Sequence, residues 1–244
     1  MKFLKPILIF LFFIFLLLMA VFPQVLRCTF VAYDDFESLQ PNVYVAGTST
    51  LKQRDSLKKY MRVAKKRVID FWGYQQGHAT IIFCNDAEQY LKYCRTTAGA
   101  GCTIGTPVGS WIVLNKDGLN ADVIAHEMSH DELMTRLGWW KTKRTIPTWF
   151  DEGVALMLDY RFVSNPDSAR RYKAYKTELY FLSPRPLSLD NLSTEKDFFG
   201  EGELHTKLAY LTSATAVSGK IAYGGKKAIL QTVEKVKQQN RFEF

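Results

Sequence analysis

The sequence predicts an α+β fold in which a small mixed sheet packs on one central helix and a mostly helical part follows. Two observations support this prediction: the segments of strand character all lie before residue 116, and helical periodicity dominates after residue 120. The 244 residues, 47% of them hydrophobic, are enough for one sizeable core. We therefore expect one folded domain over 33–244, with an α/β part at 33–138 and a helical part at 139–244.

Turn residues and apolar patterns delimit the elements of the α/β part. The expected elements are strands at 43–46, 78–84 and 110–115, a basic amphipathic helix at 51–71, a short helix capped by Asp86, and a glycine- and threonine-rich loop at 96–109. In the helical part we expect helices at 167–181, 204–223 and 226–238, and a polar loop at 187–202 whose two phenylalanines suggest a lid over a cleft.

Residues 121–137 are predicted to form a helix that contains the candidate metal-binding residues. Asn120 is its expected N-cap, and no proline or glycine interrupts it. His126 and His130 are four residues apart, so both imidazoles lie on one side of the helix and can reach one metal ion. Glu127, beside the first histidine, can take a proton from an attacking water. The alternative is a helix with two solvated histidines, which is weakened because the chain has only 4 histidines.

A catalytic zinc site needs a third protein ligand, and the next apolar helical segment offers one. Thr148 with Asp151 resembles a capping box that begins this helix, and Glu152 falls in its first turn. A carboxylate at the start of a buried helix needs a partner, and a metal ion is a suitable one. The chain has Leu133 and Arg136 where a metzincin would place glycine and histidine, so that class is excluded.

The two motifs together, HExxH and the later P-x-W-x-x-E-G-x-A at 147–155, resemble the gluzincin metallopeptidases, in particular the small peptidase MA-like domains. The likeness covers roughly residues 41–240, and it includes 208–214 and 223–225, which are similar to the closing helices of these domains. It implies a zincin-like fold, Zn²⁺ as cofactor, three zinc ligands (His126, His130 and Glu152) and Glu127 as the general base of peptide hydrolysis.

The resemblance also implies a side chain that stabilises the oxyanion of the transition state. Tyr210 and His205 are the candidates, with a core aromatic and a surface histidine as the alternative interpretations. Ligand histidines usually donate their second N–H to a carboxylate. Asp159 and Asp122 are the candidates for that role; either can instead be solvated, and Asp122 can instead serve in capping.

In zincin folds an edge strand beside the cleft can pair with an extended peptide. The strand at 110–115 is either this edge or a central strand of the core. The basic segment 138–145, with two tryptophans, is either a solvated loop with one tryptophan tucked under it or a surface that rests on an anionic membrane.

The N-terminus carries two lysines followed by an unbroken apolar run that ends at Phe22. This pattern predicts export, and we expect residues 1–26 to be a transmembrane signal anchor that holds the domain in the periplasm or outside the cell, or a cleaved signal of a secreted protein. Among the 4 cysteines, Cys94 and Cys102 are the expected disulfide pair; buried free thiols are the alternative for these and for Cys28 and Cys84.

These features predict a membrane-anchored zinc metallopeptidase, most simply an endopeptidase, that acts on peptide or protein substrates. The alternatives are a zincin-fold protein that binds zinc without hydrolysis and an amidase that acts on cell-wall peptides. The net charge of +8 is a mild excess that includes two lysines of the N-terminal segment, and no recognised nucleic-acid motif occurs. We therefore expect no nucleic-acid partner.

Overall fold

A mixed sheet in the first half and helices in the second half form the structure, a computed structural model that describes Phe10, residues 21–183, Arg185 and residues 187–244. The helices are α1 (Pro23–Thr29), α2 (Leu51–Trp72), α3 (Ala87–Cys94), α4 (Ala121–Leu137), α5 (Trp139–Thr145), α6 (Thr148–Ala155), α7 (Ser168–Leu182), α8 (Glu195–Phe199) and α9 (Glu203–Gln239). The strands are β1 (Phe36–Gln40), β2 (Val43–Ala46), β3 (Thr80–Phe83), β4 (Gly101–Thr106) and β5 (Gly109–Leu114), and short 3₁₀ turns lie at Val31–Tyr33 and Leu189–Leu192.

The strands form one sheet in the order β1-β2-β3-β5-β4. The three inner strands run parallel, and β1 and β4 pair antiparallel at the two edges. Side chains alternate between the faces, so Phe83 and Leu114 pack towards α2 and α4, while Ile82 and Val113 pack towards α1 and α3. The predicted α+β class, with a small mixed sheet and a mostly helical remainder, is confirmed.

The interpretation of 110–115 as the sheet edge is wrong, because β5 lies between β3 and β4. The edge is β4, in the stretch expected to be a loop. Its half-exposed Gly-Cys-Thr-Ile-Gly-Thr sequence shows no alternation, and its antiparallel register with β5 makes it a strand. A Cβ at Gly101 would lie 3.0 Å from the Glu127 side chain, and one at Gly105 would overlap Met134. The two glycines therefore allow β4 to lie very close to α4.

The helical part follows the sequence predictions in its long helices. α7 matches the helix expected at 167–181, and α9 is interrupted at Gly225, where φ is 67°. Glycine adopts this backbone conformation without steric cost. The interruption falls between the two helices predicted at 204–223 and 226–238.

Two segments expected to be loops contain helices instead. The 138–145 segment forms α5, in which Trp139 donates its ring N–H to the Gly105 carbonyl (2.8 Å), while Trp140 is 66% exposed. The 187–202 segment contains a 3₁₀ turn and α8, and its Phe198 is fully buried. The Trp139 hydrogen bond fixes α5 beside β4, and burial of the Phe198 ring packs α8 onto the core.

The prediction of a transmembrane signal anchor at 1–26 is corrected, because no helix in the described part of the chain is long and apolar enough to cross a membrane. A span needs about 20 apolar residues. Residues 1–9 and 11–20 of the predicted segment lie outside the described residues, and α1, at its end, has 7 residues.

The expected disulfide between Cys94 and Cys102 is present and joins the end of α3 to β4. Cys28 and Cys84 are buried free thiols. Burial raises the pKa of the Cys28 thiol to about 12. Such a thiol remains protonated and unreactive at neutral pH.

Candidate metal centre

Helix α4 directs two imidazoles towards one point. The Asn120 side chain accepts the backbone N–H groups of Asp122 and Val123, so the predicted N-cap is confirmed. The rings of His126 and His130 follow one turn apart, edge to face, with their centroids separated by 4.9 Å. Both rings are embedded under the surface, since their side chains are 8% and 14% exposed.

Helix α6 brings Glu152 to the same point. Its Oε2 atom lies 3.2 Å from His126 Nε2 and 3.8 Å from His130 Nε2. One ligand atom from each of the three residues falls within 4.8 Å of the other two, so this group could hold a metal ion. The expected capping box is wrong: Pro147 is the N-cap residue, and no side chain caps the helix. Asp151 contacts His130 instead.

The ligand atoms of these three residues are arranged to bind a cation rather than to hydrogen-bond to one another. Glu152 Oε2 is buried and accepts no hydrogen bond from any described residue. A buried carboxylate oxygen without a donor or cation is energetically costly. Two imidazole nitrogens and one carboxylate form a donor set that suits zinc, with further positions left open for water or substrate. The same donors suit other divalent transition metals.

Each imidazole has a carboxylate behind it. His130 Nδ1 lies 2.7 Å from Asp151 Oδ1, at hydrogen-bond distance, and His126 Nδ1 lies 3.6 Å from Asp159 Oδ2. Such partners fix the orientation of a ligand imidazole and leave its second nitrogen free for a metal. Asp159, one of the two predicted partners, lies near His126 Nδ1 but beyond hydrogen-bond distance. Asp151 was missed, because its position in the first turn of a helix pointed to capping.

The neighbouring carboxylates control the pKa values of both histidines. Burial by itself lowers the pKa of His126, but Asp159 and Glu152 outweigh it and raise this pKa to about 9. Burial also lowers the pKa of His130, while Asp151 and Glu152 raise it to about 10. The centre therefore attracts positive charge strongly, whether as protons or as a metal cation.

Asp159 is itself held in place. It is fully buried, and Arg161 donates to its carboxylate from the backbone (2.9 Å) and from Nε (3.0 Å). Burial raises the pKa of Asp159, but the neighbouring His126 and the hydrogen-bonded Arg161 outweigh it and hold this pKa well below its usual range. The carboxylate therefore remains charged behind the imidazole.

Asp122, the other predicted partner of a histidine, lies elsewhere. Its Oδ1 atom accepts from Arg67 Nη1 (2.6 Å) and from the backbone N–H of Tyr160 (3.0 Å). Asp122 thus connects the start of α4 to α2 and to the segment after α6. Its role in the described structure is to join these elements.

Glu127 lies beside the two histidines and is held by the edge strand. The Thr103 hydroxyl lies 2.8 Å from Glu127 Oε2 and donates to it. Glu127 is 7% exposed, and Gly101 faces its side chain from β4. The sequence did not indicate Thr103, because the stretch around it was expected to be a loop.

Tyr210 of α9 lies near the carboxylates of Glu152 and Glu127, whereas His205 contacts other residues. Burial raises the pKa of Tyr210 well above its usual value, and the nearby carboxylates of Glu152 and Glu127 raise it further. Its ring packs edge to face on Phe198, with centroids 5.1 Å apart. His205 instead donates from Nε2 to the Asp197 carbonyl (2.8 Å), and its Nδ1 faces Glu201 at 3.3 Å.

The assembled site offers three convergent side chains that could hold a metal ion, an adjacent carboxylate and a phenol that keeps its proton at neutral pH. Comparison of the chain with family models, curated proteins and solved structures gives no match. The chemistry therefore has to be inferred from the residues themselves.

Proposed function

We propose that this chain is a zinc-dependent peptidase of the gluzincin type, with a zincin-like fold. The observation that carries the proposal is the convergence of His126, His130 and Glu152 beside Glu127. A site that only stores or structures a metal uses all its ligand positions and needs no extra carboxylate. Three ligands together with a buried acid–base group are the equipment of metal-assisted hydrolysis.

Zinc bound by these three residues would polarise a peptide carbonyl and increase the acidity of water. Glu127 acts as the general base: its carboxylate takes a proton from the attacking water and then delivers this proton to the leaving amine. The Thr103 hydroxyl orients the carboxylate through Oε2. Asp151 and Asp159 hold the ligand imidazoles from behind.

Tyr210 is proposed to donate a hydrogen bond from its hydroxyl group to the carbonyl oxygen as negative charge develops there. Its raised pKa supports this role, because the group stays a donor at neutral pH. The ring is held by Phe198 and so needs little reordering. Donors of this kind stabilise a transition state by about 3 kcal/mol.

The free edge of β4 is proposed to bind the substrate. β4 is the last strand in the order of the described sheet, so one side of its backbone is unpaired. An extended peptide that pairs with this side would lie beside Thr103 and Glu127. This mode of binding needs no free substrate terminus and so favours an endopeptidase.

The cross-linked cysteines support a location outside the cytoplasm. A disulfide between Cys94 and Cys102 persists in an oxidising compartment and is rare in the cytosol. We therefore place the proposed activity in such a compartment.

The test is peptide-library cleavage by the zinc-loaded protein, read by mass spectrometry, with zinc content measured on the same samples. The decisive variant is Glu127→Gln, which keeps the shape of the side chain and removes the base. We expect one zinc per chain in both proteins and a loss of about 10²- to 10⁴-fold in cleavage rate. Glu88→Gln, an exposed change on α3, is the matched control and should cleave normally.

Three results would count against the proposal, each at a different point. A chain that binds no stoichiometric zinc contradicts the ligand assignment. Equal cleavage by Glu127→Gln contradicts the assignment of the base. Stoichiometric zinc without cleavage of peptides, or of cell-wall peptide amides assayed in parallel, identifies a metal-binding protein without hydrolysis.

A further inference from the structure

A polar cavity of about 170 Å³, separate from the candidate metal centre, opens between α2, the segment that follows α6, the start of α7 and the interruption of α9. Its apolar wall comes from Phe71, Met157, Leu158 and Ile221, all of which are buried. The side chains that give it charge are Arg67, Arg171, Lys226 and Asp70. None of the proposed metal ligands lines it.

Arg171 is the unusual member of this group, because it is a buried cation without an anionic partner among the described residues. It is 3% exposed. Its two terminal nitrogens donate to neutral oxygens, namely the carbonyls of Leu156, Asp159, Val163 and Asn165 and the hydroxyl of Tyr175. Its Nε–H is buried and has no acceptor among the described residues. Buried charges in proteins are normally paired, so Arg171 lacks both a counter-charge and one hydrogen bond.

Arg67 and Arg171 approach the same aromatic ring. Their guanidinium carbons lie 4.0 Å and 4.8 Å from the centroid of Tyr160. Arg67 is neutralised by Asp122, at 2.6 Å. The ring therefore holds two cations close together, and only one of them has a carboxylate partner in the described part of the chain.

Lys226 adds a third cation at the mouth of the cavity. Its Nζ donates to the backbone carbonyl of Asp70 (2.8 Å), and the Asp70 carboxylate is paired with Lys66 instead. The charge of Lys226 is therefore not compensated by the acid beside it. The cavity carries an excess of positive charge from Arg171 and Lys226.

We propose that this cavity is an oxyanion-binding site that accepts a carboxylate or a phosphate group. The charge of such a group compensates Arg171 and Lys226, both of which line the cavity. The apolar wall contacts whatever hydrocarbon carries the group. The volume corresponds to about six water molecules, which is enough for an anion of this size. The site is independent of the proposed peptidase activity.

The experiment is isothermal titration calorimetry of the purified protein with inorganic phosphate and, separately, with acetate, at constant ionic strength set by sodium chloride. Lys226→Glu reverses one charge that lines the site, at an exposed position. Lys227→Glu is its matched control, because it changes the net charge equally at the next residue, which does not line the site. Circular dichroism verifies that both variants fold.

We expect one anion per chain for the unchanged protein and for Lys227→Glu, and binding at least about tenfold weaker for Lys226→Glu. The anion with the higher affinity identifies the group, phosphate or carboxylate. Absence of binding by both anions overturns the proposal. So does equal affinity in the two variants, which would place the anion elsewhere, for example at the metal centre.

Discussion

Two groups of carboxylates, one on α4 and one packed against it, differ in what faces their oxygens. One group, Asp131 and Glu132, faces the turn before β3 and the end of α2. The other is Glu152, which lies at the candidate metal centre. Asp131 and Glu132 are 3% and 0% exposed, and the side chain of Glu152 is only 12% exposed, so burial alone does not separate these two kinds of acid.

The structural group is satisfied by protein donors. Glu132 accepts the backbone N–H groups of Gln76 and Gly77 and pairs with Arg136. Asp131 accepts the Ala79 N–H (2.9 Å) and the Ser110 hydroxyl (2.6 Å). These contacts fasten the turn that leads into β3 onto α4.

The metal centre has the opposite pattern. The buried Oε2 atom of Glu152 faces two imidazole nitrogens, and no N–H of the described backbone reaches it. The comparison teaches that a buried acid served by N–H groups is part of the scaffold, whereas one that faces other ligand atoms needs a cation. Substitutions in the two groups should therefore have different consequences.

The largest difference is expected for Glu152→Ala. Loss of one of three ligands should abolish stoichiometric zinc binding, while the chain still folds, because no backbone N–H depends on this oxygen. Zinc content after dialysis and circular dichroism measure the two effects. An unfolded Glu152→Ala protein would mean that this carboxylate belongs to the scaffold, and the comparison would fail.

The reverse outcome is expected for Glu132→Ala. Arg136 and two backbone N–H groups lose their acceptor, so the free energy of unfolding should fall by about 3–5 kcal/mol. Denaturant titration measures it, with the exposed Glu88→Ala as control. Zinc stoichiometry of the folded fraction should not change. A drop in zinc binding at unchanged stability would contradict the distinction between the two groups.

Tyr210→Phe tests whether the aromatic neighbour of Glu152 takes part in the reaction. The ring packing on Phe198 is kept and only the hydroxyl is lost, so we expect kcat to fall by about 10²-fold with little change in KM or zinc content. The exposed Tyr180→Phe serves as the control. Full activity of Tyr210→Phe would remove this residue from the mechanism.

The smallest effect is expected for Asp151→Asn, which weakens the partner of His130 without removing a ligand. Zinc affinity should fall by about 10- to 100-fold. A competition titration with a chelating dye measures this change. Asp122→Asn, an equal change on a carboxylate that contacts no imidazole, should leave the affinity unaltered. If both variants lose affinity equally, the effect of Asp151→Asn is general electrostatics rather than positioning.

The core of the site could be predicted because its information is local. Two histidines four residues apart on a capped helix must share one side of it, whatever the rest of the fold does. Glu152 followed from a buried helix that begins with a carboxylate. Contacts between helices were harder to predict. Asp151 has the sequence position of a capping residue, and only the packing of α6 against α4 turns it towards His130.

Strand β4 shows why part of the fold could not be predicted. Its residues have neither alternation nor apolar character, and it becomes a strand only through pairing with β5. The pairing places Thr103 over Glu127, and this contact joins residues 24 positions apart. Pattern analysis detects faces of single elements, whereas such a contact depends on how two elements are placed.

The cross-link between Cys94 and Cys102 has a consequence for when the protein can act. Cys102 directly precedes Thr103, so the bond that ties β4 to α3 also anchors the residue that orients Glu127. We expect a thiol reductant to open this tie and to loosen the edge of the sheet at Glu127, the proposed general base. The proposed activity should therefore be highest in the oxidised protein, and an assay with and without dithiothreitol measures this dependence.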